Sequence, residues 1–319
     1  MPFLYQAYGL SIVSSVELPA LVSSSTIVGQ PLHVELGKVP ETFENPPTHD
    51  WPFSTFNAQE FRYEQPKIGK YFVSHGFKIL IEPISTNTEK VLLYFYANCL
   101  AIALLQRNLI PFHVSGVGIG TDKVLLFAAP SQTGKSTTAL KLQELGYAPF
   151  TDDTALLQMQ EETCVAVPSY PMARLWQKTI GQQRIFDEAD KQIIFSDIDK
   201  YGFSFHEQFS TQKPTVAGLV FLEESGDEIE VQNLSPMQAL PALYRNIYRR
   251  EWLVAMGREA LMFRHLTSVV QRVPCWKAVR PANKNTFESF AKAIESQIIR
   301  PTFLSKSSLA KDHKPLVNL

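Results

Sequence analysis

The sequence predicts an α/β protein in which a phosphate-loop-containing catalytic domain follows a small β-rich domain. Three observations predict it. The apolar run Val124 to Ala128 feeds a loop that closes on Gly134-Lys135-Ser136, and Thr137 to Leu145 continues with helical spacing. Strand and helix patterns mix after about residue 90, as in a sheet packed against helices. Before that point, short β-branched or aromatic runs are separated by Pro, Gly, Ser and Asn.

In chain order, the β-rich segment carries strand patterns at Leu10 to Val13, Leu32 to Leu36, Phe61 to Tyr63, Tyr71 to Val73 and Lys78 to Ile81. Gly37 to Pro52, rich in Pro, Asn and Thr, reads as an exposed loop. Val91 to Leu105 is the longest apolar run; it is short for a membrane span and carries Asn98, so a buried core helix is expected. Strands follow at Val114 to Ile119, Val124 to Ala128, Ala155 to Met159 and Val216 to Leu222. Helical spacing marks Met237 to Leu253, with Arg245, Arg249 and Arg250 interspersed, and Thr286 to Ile299. The expected division is residues 1–88 for the β-rich domain, 89–300 for the catalytic domain and 301–319 for a disordered tail.

Composition narrows the class. Of 319 residues, 45% are hydrophobic and 19% charged, with a net charge of -1, which describes a globular protein and suggests neither a nucleic-acid nor a membrane partner. Cys99, Cys164 and Cys275 stand far apart with no C-x-x-C pair, so neither a disulfide framework nor a zinc site is expected. The first residues lack a basic segment followed by an apolar one, and a cytoplasmic location is expected.

The loop carries the chemistry. Ala129 to Ser136 fits G-x-x-x-x-G-K-[ST] with Ala129 in the first glycine's place. Gly134 lets backbone amides approach phosphate oxygens, Lys135 supplies a positive charge, and Ser136 offers a hydroxyl to Mg2+. The helix beginning there points its positive end at the phosphates. A nucleotide is the expected ligand, held by Ser131, Gln132, Thr133, Gly134, Lys135, Ser136 and Thr137.

Asp152-Asp153 follows Pro149-Phe150-Thr151 at the expected end of a strand. Neighbouring side chains of an extended chain point opposite ways, so one carboxylate can serve Mg2+ while the other takes a proton from an attacking hydroxyl. A solvated turn is the competing reading of the same residues. His113, on a strand next to the loop strand, would lie close to this pair, where a carboxylate could orient its ring.

Together, Pro111 to Gly116, Ala129 to Thr137 and Thr151-Asp152-Asp153 resemble the catalytic domain of the HPr kinase/phosphorylase family, whose nucleotide fold is shared with phosphoenolpyruvate carboxykinase. Tyr8 to Ile12, the helix before Arg107 and Pro168 to Trp176 look like the branch found with lasso-peptide gene clusters, which phosphorylates a serine of a precursor peptide. The resemblance implies an ATP- and Mg2+-dependent serine kinase. It implies Asp152 as the general base with His113 beside it, Asp153 with Ser136 on Mg2+, and Lys135 with the loop amides around the phosphates. A free-serine kinase and a non-catalytic nucleotide-binding protein are the alternatives, and relatives of this kind are often homo-oligomeric.

Departures from the family pattern are informative. Ala129 and Gln132 stand where the family often has glycine; alanine fits if its φ is negative, whereas Gln132 would reshape the loop. The family's Glu-x-Arg-Gly stretch has no counterpart, which argues against the reverse phosphorylase reaction and against HPr as substrate. Arg174 and Lys200 are candidate substrate contacts, and Trp176, Arg245, Arg249, Arg250 and Trp252 are candidates to line a groove for an acidic tail.

Overall fold

The computed structural model describes residues 2–176, 191–195, 200–282 and 284–303. The first sheet contains β1 (Phe3–Ala7), β2 (Leu10–Ser14), β3 (Val22–Ser23), β4 (Leu32–Leu36), β5 (His49–Trp51), β6 (Ser54–Phe56), β7 (Glu60–Gln65), β8 (Gly69–Ser74) and β9 (Lys78–Pro83). Their order across the sheet is β3-β1-β2-β4-β9-β8-β7-β6-β5. Alternation assigns the faces: Leu32 and Val34 of β4 are buried while His33 between them is exposed. The segment expected to be a loop at 37–52 contains β5, because His49 to Trp51 close a hairpin on β6.

A long helix, Thr88–Gln106, crosses to the second sheet. It is 19 residues long, enough with its apolar character to span a bilayer, and 78% of its most apolar stretch is buried inside the protein. One wide turn of π type, Phe95–Cys99, interrupts it.

The second sheet is formed by β10 (Pro111–Phe112), β11 (Val114–Ile119), β12 (Lys123–Ala128), β13 (Pro149–Thr151), β14 (Ala155–Gln160) and β15 (Thr163–Pro168), joined by β19 (Thr215–Glu224), β20 (Glu230–Leu234) and β21 (Cys275–Arg280). β12 lies parallel to β19, and β19 parallel to β21. Between them in sequence, β16 (Met172–Trp176), β17 (Lys191–Phe195) and β18 (Lys200–Ser204) make a separate three-stranded sheet. The architecture is therefore mixed α/β.

β12 is buried from Val124 onward because both faces are covered. Leu126 belongs to a core that runs without interruption from Ile12 and Tyr71 of the first sheet through Phe95 and Leu104 of the long helix to Leu219. Leu125 and Phe127 face the other side, against Leu142, Phe290 and Ile294. Both cores are apolar, so burial drives the association. The first sheet ends at Pro83 and the second begins at Pro111, and the β-rich part shares its hydrophobic core with the part that follows.

Met237 to Leu253, expected as one helix, is two: Pro236–Arg245 and Arg250–Ala255. Residues between them bond to β10 instead. His113 N donates to Asn246 O over 2.7 Å and Tyr248 N donates to Pro111 O over 2.8 Å. These bonds occupy backbone groups that a continuous helix would pair internally. The expected C-terminal helix is present at Phe287–Ile294, with a π turn and a last helical turn to Phe303. Most of the expected tail, 304–319, lies outside the described residues.

Candidate active site

β11 organises the site from its two neighbours. Val114 pairs with Ala128 of β12, and Gly116 pairs with Thr151 of β13. One strand therefore brings the end of the loop strand and the end of the aspartate strand together. His113, Ser115 and the acidic pair gather where β12 and β13 end and antiparallel β11 begins, and the carboxyl ends of strands are where α/β sheets commonly bind ligands.

The loop leaves β12 at Ala129 and enters the helix Lys135–Glu144 through Gly134, whose φ is 101°. Glycine is required there twice over: the φ is left-handed, and an added Cβ would lie 2.4 Å from Cε1 of Phe287. Gln132 also adopts a left-handed φ of 69°, whereas Ala129 is not among the residues with positive φ. This explains why alanine fits the first position of the loop motif while a side chain at 132 carries backbone strain. Lys135, 6% exposed, curls back so that Nζ donates to Ala129 O over 2.7 Å and to Pro130 O over 3.4 Å.

The two members of the acidic pair have different neighbours. Ser136 Oγ donates to Asp152 Oδ1 over 2.7 Å, and Ser115 Oγ donates to the same oxygen over 2.5 Å. Asp152 is thus the partner of the loop serine, a place expected for Asp153. His113 Nδ1 donates to the Asp153 carbonyl over 2.8 Å and lies 3.7 Å from its carboxylate. The physical reason is local backbone geometry. Asp153 has a left-handed φ of 76°, so the chain turns away from extended alternation directly after Asp152. A carbonyl oxygen can only accept, so the proton sits on Nδ1 of His113 and, in the neutral ring, Nε2 is the acceptor.

Supporting residues hold this arrangement. Thr151 Oγ1 donates to Thr154 O over 2.9 Å, closing the turn that carries the aspartates. Tyr8, from the first sheet, reaches Thr154 Oγ1 with its hydroxyl at 2.7 Å, and Tyr8 N donates to Ser169 O. On the other side of the loop, the Arg280 guanidinium lies 4.1 Å over the Phe287 ring and donates to Glu224 over 2.6 Å. Burial lowers the pKa of Arg280 and Glu224 opposes that shift.

Ser115, Tyr8, Arg280 and Phe287 were not singled out from sequence for a role in the site. Ser115 had a usable signal, since it stands two residues after His113 and so shares its side of an extended chain. The other three come from distant segments and carry no local signature. The candidate contacts Arg174 and Lys200 lie on β16 and β18, where Arg174 pairs with Gly202 and Lys200 with Trp176. Their side chains, and that of Trp176, lie outside the described residues.

Among the described residues, no group of three or more His, Cys, Asp and Glu side chains is arranged to hold a metal. The oxygen pair Ser136 Oγ and Asp152 Oδ1 nevertheless suits a hard cation. Its 2.7 Å separation is close to the roughly 2.9 Å between neighbouring oxygens around octahedral Mg2+, an ion that takes few protein ligands and completes its shell with water and phosphate.

No family model matches the chain, and no curated protein matches it. Among solved structures, the Hpr(Ser) kinase/phosphatase from Coxiella burnetii aligns over 60% of this chain and 97% of that chain, at 10% sequence identity and a TM-score of 0.31. A TM-score of that size is too low to carry a fold or an activity from one chain to the other.

Proposed function

We propose that this protein is an ATP- and Mg2+-dependent kinase that transfers a γ-phosphoryl group to a serine hydroxyl, with a ribosomal precursor peptide of the lasso type as the acceptor. The observation that carries the reading is the junction of the loop with the acidic pair: Ser136 and Asp152 joined at 2.7 Å, with Asp153 beside His113. The motif resemblance supplies the acceptor class.

In this reading Lys135 exchanges its carbonyl acceptors at Ala129 and Pro130 for phosphate oxygens, and amides from Ser131 to Ser136 line the same concavity. Ser136 and Asp152 are the residues that would hold Mg2+, and Ser115 fixes the orientation of the Asp152 carboxylate. Bound Mg2+ supplies neutralisation of phosphate charge. Asp153 takes the proton of the acceptor hydroxyl, and His113, anchored through Nδ1, positions that carboxylate and stabilises its charge.

The test is incubation of the protein with ATP, Mg2+ and the precursor peptide encoded beside its gene, followed by intact mass of the peptide. A gain of about one phosphate, absent with Asp153→Asn, is the expected result. ATP consumed with the peptide unmodified would move the acceptor to a small molecule such as free serine. ATP bound without turnover would make this a nucleotide-binding protein and sink the kinase reading.

A further inference from the structure

We propose that a cavity between the first sheet, the long helix and the Arg249 turn is a second binding subsite, selective for a carboxylate borne on an aromatic or other apolar body. Its role as an anchor for the acceptor rests on the kinase reading; its ligand chemistry does not. The cavity measures about 390 Å3, within the usual range for small-ligand sites. Trp51, Phe53, Tyr63, Tyr94 and Trp252 line it together with Arg249, and Phe53 is 52% exposed.

Arg249 is the feature that selects charge. It forms no salt bridge among the described residues, and its Nε is cut off from water without a hydrogen-bond acceptor. The Nε of this half-buried guanidinium has lost its hydration and gained no acceptor in return, which an anionic ligand would supply. It is also held in place. Its backbone adopts a left-handed φ of 58°, its NH2 group donates to Asn98 Oδ1, and its Cζ lies 4.9 Å from the Trp252 ring. Asn98 itself sits in the π turn of the long helix, an irregularity often found at functional positions. A strained, immobilised arginine with no carboxylate partner among the described residues, beside an aromatic-walled cavity, is a preorganised anion partner.

The cavity also adjoins the chemistry. Tyr248 lies 5.2 Å from the Arg249 cation and 6.1 Å from the His113 ring, and its hydroxyl donates to Ala97 O over 3.0 Å. A ligand seated at Arg249 would therefore stand one aromatic ring away from His113. That relation favours the acceptor over an unrelated effector.

The experiment is titration calorimetry of the full chain with matched probes. N-acetylphenylalanine is compared with N-acetylphenylalaninamide for a terminal carboxylate, and N-acetyl-Asp-Phe-amide with N-acetyl-Asn-Phe-amide for a side-chain carboxylate. At least one acid should bind tenfold or more tightly than its neutral partner, and the pair in which it does so identifies the source of the carboxylate. Arg249→Gln should reduce that preference to less than twofold, and Ala97→Phe, which fills the cavity, should abolish binding of all four probes. Equal binding of acids and amides by the unmodified protein, or no binding of any probe, overturns the proposal without recourse to a variant. So does a preference that survives Arg249→Gln in a protein shown by circular dichroism to be folded. Acid preference in a protein that transfers no phosphate would retain the subsite and remove only its assigned role.

Discussion

The Ser136 hydroxyl donates to Asp152 Oδ1 over 2.7 Å, joining the first turn of the loop helix to a residue sixteen positions later. Because Ser115 approaches the same oxygen, Asp152 is tied to two hydroxyls, while its neighbour Asp153 sits against His113. Two adjacent carboxylates therefore occupy different environments, and their substitutions should fail differently.

Asp152→Asn should weaken Mg2+-dependent nucleotide binding while leaving metal-free nucleotide binding nearly unchanged. Asp153→Asn should leave both intact and lower kcat by about 10^2- to 10^4-fold, the usual range for loss of a general base. Nucleotide titrations with and without Mg2+, paired with single-turnover transfer, separate the two. Equal effects of both substitutions on metal-dependent binding would refute the division.

The loop backbone makes opposite predictions at two positions. Gly134→Ala meets both a left-handed φ and the Phe287 ring, and should cost about 1–3 kcal/mol of stability along with nucleotide affinity. Gln132→Gly relieves a left-handed strain of about 1–2 kcal/mol but adds about 0.5–1 kcal/mol of unfolded-chain entropy, so a net gain of up to about 1.5 kcal/mol is expected. Urea denaturation of the two variants checks both signs.

Tyr8→Phe removes the hydroxyl that meets Thr154 Oγ1 at 2.7 Å. A buried polar atom that loses its partner costs about 1–3 kcal/mol, and this one belongs to the turn carrying the aspartates. We expect lower stability, reduced transfer and a single cooperative unfolding transition, since the first sheet shares its core with the second. Two transitions, with the second sheet unaffected, would mean that the β-rich part folds separately.

The pH profile of stability should fall on both sides of neutrality. Burial pushes the Cys164 and Cys275 thiols up from 9.0 to about 12, and raises Cys99, Tyr8, Tyr63, Tyr71 and Tyr96 as well. These groups hold their protons more tightly when folded, so their stabilisation is complete below the unfolded values and is lost as pH rises from about 9 toward 12. Burial lowers the pKa of His265, with the Leu157 backbone partly opposing the shift. Its stabilisation is present above the ordinary value of 6.5 and declines as pH falls through the folded value. Denaturant midpoints measured from pH 5 to 11 should plateau near pH 7 to 9.

Local order was legible in the chain because it depends on neighbours in sequence. Val114 to Ile119 alone specifies β11, and the run from Val124 through Gly134 to Leu145 specifies a strand, a tight turn and a helix in that order. The residue types at Lys135, Ser136, Asp152, Asp153 and His113 likewise carry the proposed phosphate chemistry without coordinates. Long-range pairing was not legible. The break at Asn246 to Arg249 exists because Pro111 and His113 capture its backbone groups, and helical periodicity does not register that competitor. The partner of each aspartate depended on the left-handed turn at Asp153 and on the side-by-side placement of β11, β12 and β13. Residue identity sets what a carboxylate or an imidazole can do, whereas distances across a sheet and the direction of a turn select which of them act together.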